Sequence, residues 1–140
     1  MRSPYDRRMD DSGFLDFLGS LCRRPAMFTG EATVDSVRVF LTGYFIGVSH
    51  TDPEGSGLAM NGQWREWIEM RYDVCNPAWS WTRILLHHYV DDQAVFEVLP
   101  SLFGQFLAER GADGAEELQT RHRNQFRDRW PSPEHTADPR

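Results

Sequence analysis

Between positions 34 and 48 the residues Val34, Val37, Phe40, Leu41, Tyr44, Phe45 and Val48 recur every three or four places. That spacing gathers them on one side of an α-helix but would scatter them over both faces of a strand. The same period runs through Phe14, Phe17, Leu18, Leu21 and Cys22, and through Val95, Val98, Leu99, Leu102, Phe103, Phe106 and Leu107. Strand-like alternation never persists beyond a few residues, and no internal repeat is visible. With 140 residues, 40% of them apolar, the chain is long enough to bury one substantial core. The expected fold class is therefore all-α, a compact single-domain bundle of five or six helices with irregular crossings.

Punctuation sets the expected boundaries. Residues 1–11 and 129–140 are rich in Pro, Arg and Asp with little to bury, so they read as mobile tails around a helical domain at 12–128. Ser12 is placed to cap a first helix, which must end near Arg23 or Arg24 because Pro25 disfavours helical geometry just before it. Arg24 to Gly30 forms an apolar connector, and Thr33 caps a second helix with Asp35 in its first turn. The turn formers from His50 to Gly62 read as a long flexible loop. A short third helix follows over 63–72, a break at Asn76-Pro77, and a fourth helix over about 79–89 with Trp81, Ile84, Leu85 and His88 on one side. A long segment runs from Asp91 and Asp92 to Gly111, in which Pro100 is expected to kink or split the helix. A more polar helix over 113–127 offers only Leu118, His122 and Phe126 to a core. Gly43, in mid-helix, suggests a close helix contact.

Charge narrows the classes of partner. The net charge is −6, and residues 25–110 carry five Arg against eleven acids. Such a body repels phosphate backbones and anionic lipid, so nucleic acid and membrane surfaces are not expected ligands, whereas a basic protein would be steered toward it. The longest nearly apolar run, Val39 to Val48, is about half of what spans a bilayer. The first eleven residues hold no apolar leader segment, so the expected compartment is the cytoplasm. All fifteen cationic residues are Arg, as in the codon usage of a GC-rich bacterial genome. Cys22 and Cys75 are expected to be unpaired thiols.

Chemistry-bearing groups are sparse. His87, His88, Asp91 and Asp92 form the densest set of potential metal ligands or acid/base groups, with His50, Asp52 and Glu54 as a looser second set. Successive helical residues point about 100° apart, so His87 and His88 cannot both face one ion, and Asp91 and Asp92 suit a helix cap. Glu66 and Glu69 stand three apart beside the tryptophans, a spacing open to paired acids or to a solvated face. No phosphate-binding glycine loop and no nucleophile elbow is present, and no cofactor or catalytic residue is assigned. What stands out is aromatic: Trp64, Trp67, Trp79 and Trp81 fall within eighteen residues, with Tyr72 and Tyr89 close by. Such side chains serve cores and interface anchors alike. Read as a groove, Trp64, Trp67 and Tyr72 rimmed by Glu66, Glu69 and Asp73 would receive a basic partner.

Arg24-Pro25-Ala26-Met27-Phe28-Thr29-Gly30, followed by Phe40-Leu41-Thr42-Gly43-Tyr44, resembles the RPxM(Y/F)xG…FLxGY opening of a loosely defined group of small uncharacterised bacterial proteins. The likeness extends over about residues 14–107, with Ala26 where the group has Gly and Phe28 where it has Tyr. It implies a stand-alone accessory protein, of immunity type in toxin systems, and brings no catalytic residue with it. The resulting expectation is a non-enzymatic helical interaction protein that neutralises a basic toxin, as a monomer or as a homodimer through the Asp91–Arg110 segment. The alternatives are a small metal-dependent or acid/base enzyme using His50, His87, His88 and Asp91, and a helical small-molecule binder.

Overall fold

The computed structural model describes residues 11–51 and 56–129, the side chains of Ser56 and Leu58 excepted. Those residues are all-α, with seven helices and no strand: α1 (Asp11–Arg23), α2 (Pro25–Thr29), α3 (Val34–Thr51), α4 (Ser56–Tyr72), α5 (Trp81–His88), α6 (Asp92–Asp113) and α7 (Ala115–Phe126). The number exceeds the expected five or six because the Arg24–Gly30 connector is itself a helix. Pro25 occupies its first turn, where a missing N–H is harmless, and Gly30 closes it at φ 85° by donating its N–H to the Ala26 carbonyl. None of the helices is long and apolar enough to cross a membrane among the described residues. Both terminal tails, apart from Asp11 and Arg129, and the pair Asp52 and Glu54 lie outside the described residues.

Several boundaries differ from expectation. Helix α1 starts at Asp11, so Ser12 lies inside its first turn. Helix α6 runs unbroken through Pro100. Most of the expected loop at 50–62 is helix: α3 continues to Thr51 and α4 begins at Ser56. Packing outweighs the weak helix propensity there, because Met60 is buried and Gly57 lies against α3. A Cβ on Gly57 would stand 2.6 Å from the Phe45 carbonyl oxygen. Gly43, the expected close-contact glycine, has no described atom within 4 Å of such a Cβ.

The core has two ring clusters joined at Phe103. Phe14 of α1 meets Tyr44, Phe45 and Phe103 at centroid distances of 5.8, 5.7 and 5.3 Å. Trp64 of α4 stacks on Phe103 at 3.7 Å and touches Trp67, Trp81 and Phe106 at 5.5 to 5.8 Å. The buried stripe of α6 (Val95, Phe96, Leu99, Leu102, Phe103, Phe106, Leu107) is spent inside this core and leaves no apolar face for the expected α6 dimer. Two caps close the start of α3, and the second of them ties it to α6. Thr33 Oγ1 accepts the Ser36 N–H at 3.2 Å, and Asp92 Oδ2 accepts the Val34 N–H at 2.9 Å.

Candidate functional site

The fold divides the expected partner-binding set. Trp64, Trp67 and Glu69 are buried, Glu66 and Tyr72 are half-buried, and Asp73 is exposed. Trp64 and Trp67 are core side chains, so they line no surface groove, and Glu69 does not rim one. Tyr72 instead joins the histidine pair that the sequence had offered as metal ligands.

That meeting follows from how two helices end. Asp73 adopts the left-handed φ of 54° that terminates α4, a conformation Asp tolerates better than most residues. Its N–H reaches the Met70 carbonyl at 3.3 Å, and its carboxylate accepts from Gln125 and Arg129. The Arg129 bond, seconded by Gln125, holds the Asp73 carboxyl below its ordinary value. Helix α5 begins under Ser80, whose hydroxyl accepts the Arg83 N–H, and ends where Tyr89 turns to extended backbone at ψ 150°. Its expected span of about 79–89 is thus trimmed at both ends.

Between these ends lies a continuous strip of rings. Trp79 meets His87 at 5.4 Å, His87 meets His88 at 5.5 Å, and His88 meets Tyr72 at 4.7 Å. The Tyr72 and Tyr89 hydroxyls share a hydrogen bond of 2.8 Å. Burial, reinforced by that bond, raises the Tyr72 phenol above its usual range. Arg83 covers Trp79 at 4.6 Å and Arg71 lies 5.9 Å from the Tyr72 centroid. Both histidines are exposed, which corrects the expected inward placement of His88, and Val90 beside them is 91% exposed. The expected metal set does not assemble here. Asp91 spends its Oδ1 on the Ala94 N–H as the cap of α6, Asp92 caps α3, and His50 lies at the far end of α3 from that cap. Among the described residues no group of three or more His, Cys, Asp or Glu is arranged to hold a metal ion.

A second constellation was not legible in the sequence. Glu69, fully buried, accepts from Arg65 Nη1 at 3.1 Å through Oε1, and the same oxygen lies 3.4 Å from His122 Nε2 of α7. Glu69 Oε2 is buried without a hydrogen-bond partner among the described residues. Burial raises the Glu69 carboxyl above the ordinary carboxylate range, against the opposing pull of Arg65 and His122. The Arg65 guanidinium also bridges to the Trp79 carbonyl at 2.9 Å, tying this pair to the base of the ring strip. Outside it lies a groove of about 700 Å³ lined by Glu66, Thr120, His122, Arg123, Phe126 and Arg127. The 53-residue separation of Glu69 and His122 gave no sequence signal. Only the helical register of His122 with Leu118 and Phe126 pointed inward.

Neither cysteine is activated. Burial drives the Cys22 thiol up to about 12 and raises Cys75 as well, and both are free thiols. No protein-family model, no curated protein and no solved structure matches this chain.

Proposed function

We propose that this is a non-enzymatic interaction protein whose partner contact is the ring strip Trp79–His87–His88–Tyr72–Tyr89. The observation that supports the reading is that half-buried Trp79, Tyr72 and Tyr89, packed on the edge of the core, are continued outward by the exposed rings of His87 and His88 and by exposed Val90. Planar, amphipathic side chains give large contact area for little lost rotamer freedom, which is why they dominate binding hot spots. Two of the rings already carry a guanidinium from their own chain, and a partner's Arg or Lys would be received the same way. The overall charge of −6 would speed the approach of a basic partner. Neutralisation of a basic toxin, as the RPxM…FLxGY resemblance implies, is the concrete form of this proposal, and its setting is the cytoplasm of a bacterium.

The test uses surface variants, since Trp64 and Trp67 are core. His88→Ala and Val90→Asp change exposed positions and are expected to melt within a few degrees of the unchanged protein. A partner recovered at low salt by the unchanged chain, then purified, should lose at least tenfold in affinity against either variant by calorimetry. A partner that binds both variants with undiminished affinity overturns the assignment. The groove beside Glu66 and His122 favours one second reading, a small-molecule site. An apolar amine that raises the melting temperature of the unchanged protein, but not of Glu66→Gln, would support it.

A further inference from the structure

Four arginines fall between positions 121 and 129, and the fold treats them unequally. Arg121 is held by Glu109 and Asp113, and Arg129 by Asp73. Arg123 and Arg127 have only neutral partners among the described residues: the Thr120 hydroxyl at 3.5 Å and the Asn124 side-chain oxygen at 2.6 Å. They stand four places apart, and Arg127 keeps helical backbone at φ −51° and ψ −46°, so both project on one side of α7. Both line the groove of about 700 Å³, to which α4 contributes Glu66. Half-buried Glu66 makes no hydrogen bond or ion pair among the described residues. His122 and Phe126, their rings 5.0 Å apart, line the same groove.

One cavity thus holds a carboxylate from α4 and two guanidinia from α7 that do not pair with each other. We infer that it takes an apolar zwitterion of dipeptide size, with the ammonium on Glu66, the carboxylate on Arg123 and Arg127, and the apolar body over Phe126. The inference rests on the small-molecule reading of this groove and names the chemistry of its ligand. A plain anion would meet repulsion from Glu66, and a plain cation repulsion from the two guanidinia. A molecule carrying both charges meets each wall with its opposite. Guanidinium is suited to the carboxylate end, because its planar array of N–H donors matches the two oxygens. The volume suits a ligand of this size, since cavities of some 300 to 1,000 Å³ enclose most of the surface of such molecules. The ring strip takes no part, so the two surfaces stand or fall separately.

Calorimetric titration of the full chain with the dipeptide leucyl-phenylalanine, its C-terminal amide and its N-acetyl derivative is the test. The amide keeps only the ammonium and the acetyl form only the carboxylate. The dipeptide is expected to bind at least tenfold more tightly than either. The Arg123→Gln/Arg127→Gln double variant should reduce the dipeptide to the affinity of the amide and leave the amide unchanged, and Glu66→Gln should reduce it to that of the acetyl form. If a variant fails to fold, the three ligands on the unchanged protein decide by themselves. An amide that binds as tightly as the dipeptide, and loses affinity in Glu66→Gln, overturns the inference and leaves the small-molecule reading standing. A dipeptide indifferent to the double arginine variant overturns the inference as well. Absence of binding by all three overturns the inference and removes the reading it rests on.

Discussion

Helix α4 is packed on one side against α3 and α6 and on another against α7, and the two seams are held by different physics. Toward α3 and α6 it presents Trp64, Met60 and Ile68, with Gly57 against the α3 backbone. Toward α7 it presents Glu69, and α7 answers with only two fully buried apolar side chains, Leu118 and Phe126. The α7 end is fastened instead by directed polar contacts: Glu69 with His122, Asp73 with Gln125 and Arg129, and Arg121 with Glu109 and Asp113. A ring-packed seam loses stability steeply when volume changes but is indifferent to pH and salt. A polar-fastened seam has the opposite sensitivities.

The largest effect expected from that contrast is at Trp64. Its ring stacks on Phe103 and joins both halves of the core, so Trp64→Ala should lower stability by about 3 to 5 kcal/mol in urea melts. A loss below about 1 kcal/mol would mean that the two ring clusters are independent. Next comes Gly57→Ala, where the added methyl meets a carbonyl oxygen that cannot move without the helix. A loss of about 1 to 3 kcal/mol is expected, and a neutral result would place α4 farther from α3 than described. Trp67 stands between the seams, its ring on Trp64 and its Nε1 donating to Glu109 Oε2 at 2.6 Å. Trp67→Phe keeps most of the apolar area and removes the bond, so about 1 to 2 kcal/mol should be lost. Arg121→Ala tests the exposed fastening alone. Its two ion pairs are solvated at both ends, and about 0.5 kcal/mol, vanishing at high salt, is the expected loss.

How far the sequence revealed this molecule depended on whether a residue's role was local or long-range. Apolar period 3.6 identified the all-α class and most buried positions of α1, α3 and α6, because those helices bury one continuous face. It failed at 56–62, where Gly57 and Gly62 read as loop. There the helix is fixed by contact with α3, which no local pattern encodes. Gly43 and Gly57 show the same limit in reverse: both are glycines near apolar residues, and only the three-dimensional neighbours tell which one is crowded. The ring strip was half-legible. Its members all stand out in the sequence, but proximity groups Tyr72 with Trp64 and Trp67, and residue type alone makes His87 and His88 possible ligands. Their meeting depends on two helix ends, at Asp73 and Tyr89, set by backbone geometry. Glu69 looked like a surface acid because carboxylates are rarely buried, and only its pairing with Arg65 and a histidine from α7 makes that burial tolerable.

Glu69→Gln is expected to have the smallest net effect and the sharpest pH signature. The change relieves the burial of a charge but gives up attraction to Arg65 and His122, so the two contributions nearly cancel near neutrality. The pH slope does not cancel. Burial raises the Glu69 carboxyl, so the folded chain holds this proton more tightly than the unfolded chain does. Its stabilising contribution is therefore fully present below the ordinary carboxylate range, near pH 4, and is lost as pH rises through the raised value. Glu69→Gln has no such proton to lose. Urea melts from about pH 4 to pH 8 should show the unchanged protein losing stability relative to Glu69→Gln as pH increases. Repeating the pair in a His122→Gln background removes the imidazole from the comparison. The reverse slope would mean that Arg65 and His122 outweigh burial and that the α7 seam is closed by a standing charge pair, one that salt screens less than the exposed pairs of Arg121.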